Sequence, residues 1–249
     1  MSGGLRLAVS WLTILPAGAP AEVDRAVARQ ALYWAPLVGG ALGLLAVGLL
    51  TALHAVGTPS LLAGLVVVAA LAGLTRGMHL DGLADTADGL GCYGGQQRAL
   101  DVMRDGATGP FGVVALVLVL TTQAAALGAV VQSGRLIPVV LAMVAARAAF
   151  GWCARIGVPA ARAAGMGALV AGSQPPAVSV AWSVILLVIG VVAVPERPWQ
   201  GTLAVAAAAL VVVATSAHTH RRFGGVTGDV LGAAAELTTT VILVICALG

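Results

Sequence analysis

The stretch Met78-His79-Leu80-Asp81-Gly82-Leu83-Ala84-Asp85-Thr86-Ala87-Asp88-Gly89-Leu90-Gly91, followed by Asp101 and Asp105, decides how the chain is read. The whole protein has ten acidic residues, and five of them fall between Met78 and Asp105. At about 100° per residue, a helix would gather Asp81, Asp85 and Asp88 within roughly 60° of arc. Asp101 and Asp105, spaced i, i+4, also share a face. Like charges held this close repel one another, and next to apolar chain they lose solvation as well, so they need a compensating partner. A divalent cation is the simplest one. Magnesium is usually held by one or two carboxylates and completed by substrate phosphate. A solvated acidic loop is the bland alternative, and the apolar chain on both sides argues against it.

That apolar chain sets the class. Of the 249 residues, 59% are hydrophobic and 9% charged, and the mean hydropathy is +1.01. A soluble domain carries about 25% charge. The expectation is an all-α, polytopic integral membrane helix bundle forming a single domain over residues 1–249. Its 33 glycines suit close helix packing in lipid. Apolar stretches near the spanning length of about 17–25 residues recur along the chain. They predict seven spans, near Leu32–Leu53, Ser60–Leu74, Phe111–Val131, Leu136–Cys153, Val178–Val194, Thr202–Ser216 and Leu231–Leu248. Gly57-Thr58-Pro59, Gln174-Pro175-Pro176 and Pro195-Glu196-Arg197-Pro198 punctuate the connections. Leu7–Leu15 before Ala17-Gly18-Ala19 has the outline of a cleavable signal, but only Arg6 precedes it. An interfacial amphipathic or re-entrant segment is the expected reading. Cys92, Cys153 and Cys246 show no paired spacing and read as small buried residues.

All 13 basic residues are arginine. Eleven of them, counting Arg147 inside the fourth span, fall toward one side, and only Arg135 and Arg197 toward the other. Positive-inside bias then places the N-terminus and the acidic segment in the cytoplasm and the C-terminus outside.

In this topology three polar sets share the cytoplasmic face. The first is the Asp81 segment with His79, within residues 76–112. The second is Gly224-Gly225-Val226-Thr227-Gly228-Asp229-Val230-Leu231-Gly232 with Glu236, within residues 224–236. Asp229 and Glu236 are i, i+7, and acids entering a span are functional suspects, with helix capping as the alternative. The third is arginine: Arg147, then Arg155 and Arg162 near Gly165-Met166-Gly167, with Arg221 and Arg222. Arginine forks match phosphate oxygens, although topology alone would place most of these residues there. Carboxylates with arginines at a membrane face suggest phosphoryl or nucleotidyl transfer.

Asp85-x-x-Asp88-Gly89 with Asp101-x-x-x-Asp105 resembles in outline the CDP-alcohol phosphotransferases, but that family's Ala-Arg after the glycine is absent. A similarity over nearly the whole chain is closer. The run His79–Leu90, Arg98, Met103-Arg104-Asp105, Gly109-Pro110-Phe111-Gly112, Leu12-Thr13-Ile14-Leu15-Pro16 and Gly224–Ala233 resemble the cobalamin-5′-phosphate synthase (adenosylcobinamide-GDP ribazoletransferase) family. Trp11 stands where that family commonly has Phe. The resemblance implies a magnesium-dependent enzyme of the bacterial cytoplasmic membrane that joins adenosylcobinamide-GDP to α-ribazole or its 5′-phosphate and releases GMP. Its partners would be those substrates and the lipid bilayer; nucleic acid is not among them, and a homo-oligomer stays open. The expected catalytic residues are Asp81, Asp85, Asp88 and Asp229. The expected magnesium ligands are Asp81, Asp85, Asp88, Asp101 and Asp105. The expected substrate-binding residues are His79, Arg98, Arg104, Arg147, Arg155, Thr227 and Glu236. The rivals are a CDP-alcohol phosphotransferase with a lipid or polyol acceptor, and an ion-coupled transporter, which should carry its acids near mid-span.

Overall fold

The structure is a computed structural model, and it describes residues 2–18, 20 and 22–249. Among these residues the secondary structure is helical: α1 (Gly3–Leu12), α2 (Arg25–Ala55), α3 (Ser60–Leu74), α4 (Met78–Gly91), α5 (Gln96–Val102), α6 (Pro110–Gln132), α7 (Ile137–Cys153), α8 (Met166–Val170), α9 (Pro176–Ala193), α10 (Pro198–Phe223) and α11 (Gly228–Ala247). Each expected span lies within or nearly coincides with one of these helices. Five of them (α2, α6, α9, α10 and α11) are long and apolar enough to cross a membrane. Taken together, α3 and α4 make a sixth such stretch, but they are bent by 94° at the break between them. α7 is apolar but only 17 residues long.

Glycine lets several helix pairs touch through backbone. A Cβ at Gly82 of α4 would stand 2.7–2.9 Å from backbone atoms of Asp229 in α11, and one at Gly232 of α11 would stand 3.1 Å from the Cα of His79. α4 and α11 therefore cross where each presents a glycine, the small-residue mode of packing in lipid. Asp229 is carried directly against the acidic helix by this contact.

The acidic segment is thus a packed helix and not a solvated loop. Its start is set by a tight corner. Arg76 and Gly77 both adopt left-handed backbone, with φ of 57° and 64°. This conformation is uncommon for a residue with a side chain. The Arg76 guanidinium donates to the Ser10 carbonyl at 2.8 Å, and the Ile14 N–H donates to the Leu74 carbonyl at 2.8 Å. The end of α1, the end of α3 and the start of α4 are tied at one point. α1 is capped by the Ser2 side chain and buries Leu7, Ala8 and Leu12. It packs against α2.

Candidate active site

The site forms where α1, α2, α4 and the start of α11 surround a cavity of about 200 Å³. Its walls are mostly apolar, with Ala8, Leu12, Leu32, Ala35, Phe150 and Leu231 among them. Its polar residues are His79, Asp81, Arg162, Thr227 and Asp229.

Each polar group has a local reason for its position. Thr227 caps α11, its hydroxyl accepting the Val230 N–H at 3.2 Å, and this starts the helix that carries Asp229. Arg162 arrives on the connection between α7 and α8. That connection is strapped to the Gly224–Val226 turn: the Ala161 N–H donates to the Val226 carbonyl at 3.0 Å, and the Val226 N–H donates to the Pro159 carbonyl at 2.9 Å. A Cβ on Gly225 would strike this backbone, so glycine permits the approach. Arg162 then faces Asp229 at 3.4 Å and donates to the Leu100 carbonyl at 3.1 Å. Its two side-chain contacts tie α11 to α5. Arg25 donates to the carbonyls of Ala168 and Ala171, which holds α8 against α2.

Asp81 and Asp85 lie one turn apart on α4, and Asp229 faces them from α11. Asp85 is within electrostatic reach of Asp81, Asp229 and Arg162. Asp85 and Asp229 therefore share Arg162 as a cationic neighbour, with Asp81 beside them. Among the described residues no three His, Cys, Asp or Glu side chains stand ready as a metal cage. Magnesium does not require one, because it is commonly bound through one or two carboxylates with water and phosphate completing its shell. An acidic group with a single guanidinium beside it fits that mode of binding.

The other expected site residues are placed differently. Asp88, 6% exposed, turns toward α6: its Oδ2 accepts the Gly109 N–H at 2.7 Å and its Oδ1 accepts the Gly112 N–H at 2.9 Å. The three aspartates share a helix, but the third serves another helix's N-terminus. Asp101 is exposed on α5 and accepts from Gln97 at 2.9 Å, and Asp105 is exposed in the turn beyond. Neither borders the cavity. Arg98 and Arg104 are exposed, and neither pairs with a carboxylate among the described residues. Arg155 donates to the Trp152 carbonyl at 2.7 Å and the Ser216 hydroxyl at 3.0 Å, joining α7 to α10 away from the cavity.

Arg147 and Glu236 share a second, smaller cavity of about 30 Å³ with Gln123, which donates to Glu236 at 2.8 Å. That space is enough for a water molecule or two. Arg147, 4% exposed, reaches the large cavity only through His79, whose Nδ1 lies 3.4 Å from its Nη2. The sequence reading did not anticipate the walls that α1 and α2 contribute. Trp11, standing where the resembling family commonly has Phe, lines the cavity.

Apolar helices of membrane-spanning length around a mostly apolar cavity bordered by two aspartates and one arginine are the frame of an integral membrane protein, and the relatives it matches are transferases. The cobalamin-5-phosphate synthase family model matches residues 4–247, and the chain belongs to that family. It is 42% identical over 243 residues to the adenosylcobinamide-GDP ribazoletransferase of Nocardioides sp., covering 98% of this chain and 97% of that one. It is 36% identical over 265 residues to the enzyme of the same name from Frankia casuarinae, covering 98% and 94%. To that of Pseudomonas syringae pv. syringae it is 35% identical over 243 residues, covering 97% and 98%. No solved structure matches.

Proposed function

We propose that the protein joins adenosylcobinamide-GDP to α-ribazole or its 5′-phosphate and releases GMP, with magnesium, at the cytoplasmic face of the bacterial inner membrane. One observation carries this reading: Asp81, Asp229 and Arg162 border a mostly apolar cavity, with Asp85 within electrostatic reach of all three. Such a mouth suits a diphosphate and a ribose hydroxyl, and such walls suit an aromatic base.

In the reaction a ribose hydroxyl of the acceptor attacks the phosphorus bonded to the cobinamide arm. The new P–O bond forms as the bond between the two phosphates breaks, and GMP departs with the bridging oxygen. A carboxylate of the Asp81, Asp85 and Asp229 group takes the hydroxyl proton, as a general base within hydrogen-bond reach of the nucleophile does. Arg162 is placed to contact phosphate oxygens while holding Asp229. Magnesium, held by one or two of Asp81, Asp85 and Asp229, would supply neutralisation of the diphosphate and its leaving group. Ten arginines at the end of the bundle that carries this mouth, against Arg135 and Arg197 at the other, support a cytoplasmic site.

Membranes carrying the protein, incubated with magnesium, adenosylcobinamide-GDP and α-ribazole, should yield GMP and cobalamin in equal amounts. Absence of both products overturns the reading.

A further inference from the structure

Five consecutive residues of the large cavity's wall, Ala164, Gly165, Met166, Gly167 and Ala168, come from α8 and the link before it. α8 itself is only five residues long. A helix this short is not stable alone, so contacts outside it fix where it lies. Glycines with positive φ flank it, Gly165 at 97° and Gly172 at 64°. A Cβ at Gly165 would meet nothing within 4 Å, so this end of the segment is unpacked.

Three anchors hold the segment. Gly167 sits on the start of α11, where a Cβ would stand 2.8 Å from the Cα of Thr227. Beyond the helix, Gln174 donates to the Arg29 carbonyl of α2 at 3.2 Å. The third anchor is Arg25, the first residue of α2. Its Nη1 donates to the Ala168 carbonyl at 2.6 Å and its Nη2 to the Ala171 carbonyl at 2.5 Å. These acceptors lie toward the C-terminal end of α8, where a helix leaves carbonyls unsatisfied and favours a cation. Hydrogen bonds from a charged donor are stronger than neutral ones, so this grip outweighs the other two. Among the described residues Arg25 pairs with no carboxylate, and its fork is committed to α8.

We infer that Arg25 is a positioning residue for the nucleoside acceptor: by capping α8 it seats the wall against which the acceptor's base binds. This rests on the transfer to a ribazole proposed above and names a residue on which acceptor binding depends. Arg25 does not border the cavity and acts only through α8. The strap between Pro159–Ala161 and Val226 lies outside α8, so Arg162 and Asp229 keep their places when Arg25 is lost. The carboxylates are then undisturbed while the wall loosens. When α8 is seated for only a fraction of the time, the apparent affinity for the acceptor falls by that fraction.

The test has a kinetic arm and a labelling arm, both on the full-length protein in detergent. In Arg25→Ala the KM for α-ribazole should rise about 10-fold, as for a wall seated about one-tenth of the time. The kcat and the KM for adenosylcobinamide-GDP should stay at their wild-type values, the pattern of lost uniform binding of one substrate. Arg25→Lys, with one ammonium in place of a fork, should recover part of the loss. The labelling arm places a thiol on α8 as Val170→Cys, in a Cys92→Ser background, since Val170 is 0% exposed and the other two cysteines are buried. Its reaction with a soluble thiol reagent should quicken at least about 10-fold when Arg25→Ala is added. Saturating α-ribazole should slow it again, because binding and seating favour each other reciprocally. An unchanged labelling rate, or an unchanged KM for α-ribazole, overturns the inference. So does a fall in kcat and Tm with KM unmoved, the mark of a residue that only stabilises the fold. Labelling that α-ribazole slows, in a protein that releases no GMP, would overturn the transfer reading and leave Arg25's hold on the wall standing.

Discussion

The carboxylate of Asp88 meets the backbone of Gly112 across a helix–helix junction, its Oδ1 accepting that N–H at 2.9 Å while Oδ2 takes the N–H of Gly109 at 2.7 Å. α6 begins Gly109-Pro110 with no side-chain cap of its own. Asp88 supplies the missing acceptor from another helix, with the charge sign that an N-terminus favours. A Cβ at Gly112 would stand 2.5 Å from Oδ2, so the glycine makes room for the bond. Asp88→Ala should lower stability by about 1–3 kcal/mol because two amides lose their acceptor. Thermal unfolding in detergent reads this directly. A wild-type Tm for Asp88→Ala would show that the cap is dispensable.

Asp81 and Asp85 have no such structural employment. Asp81→Asn and Asp85→Asn preserve volume and remove charge at the cavity mouth, so turnover should fall by at least about 100-fold at limiting magnesium, as for loss of a metal ligand or base. Their Tm should stay at the wild-type value. The pair thus separates from Asp88, whose loss lowers Tm and turnover together. Full turnover in both variants would place the chemistry elsewhere.

The Arg162–Asp229 pair is partly exposed at 3.4 Å, so its own contribution to stability is small. Its role is expected in turnover. Arg162→Gln should cost about 10–100-fold, the usual effect of removing a supporting partner. A magnesium titration of Asp229→Ala then distinguishes two roles. Rescue by excess metal marks Asp229 as its support, and a flat loss marks substrate or proton transfer. Unchanged activity at every magnesium level would leave Asp229 as a helix-capping acid.

Arg147 and Glu236 border the same small cavity inside the bundle, close enough for opposite charges to attract. Arg147→Met alone, or Glu236→Gln alone, should destabilise by about 3–5 kcal/mol, since each strands a buried charge or its partners. The double variant should recover much of that. Strict additivity of the two losses in chemical unfolding would mean that the groups do not communicate.

Orientation is tested by labelling. Gly95→Cys should react with an impermeant thiol reagent only from the cytoplasmic side and Arg197→Cys only from the periplasmic side, both in a Cys92→Ser background. The background matters because Cys92 is partly exposed and close to position 95, whereas Cys153 and Cys246 are buried. Both positions reacting from the same side would refute the arrangement.

Hydropathy found the bundle because lipid demands it: a helix that meets acyl chains is written in apolar residues. It found the lipid-facing part of each helix better than its ends. α2 starts at Arg25, before the apolar stretch at Leu32, because Arg25 to Gln30 continue the helix past the apolar zone. The period of the aspartates correctly gave a helix. It could not tell that Asp88 turns to α6, although Gly109-Pro110, a helix start lacking Ser, Thr or Asp, hinted that a cap must come from elsewhere. The partnership of Arg162 with Asp229 spans 67 residues and is set by backbone bridging at Val226, which no local pattern records. The walls from α1 and α2 were hidden for a similar reason, since small and apolar residues there look the same whether they face lipid or a cavity.

The corner at Arg76 braces one side of the cavity. Through that corner, α1 and α4 are braced to the same backbone, by the guanidinium on Ser10 and by the Ile14 to Leu74 hydrogen bond. Neither wall can retreat without pulling the other, and the two left-handed residues leave little torsional slack. Beside Arg162, Ala164 and Gly165 also border the cavity, exposed and with no side chain larger than a methyl. If the pocket widens, His79 and Asp81 are therefore expected to keep their spacing, with the yielding at the rim beside Arg162.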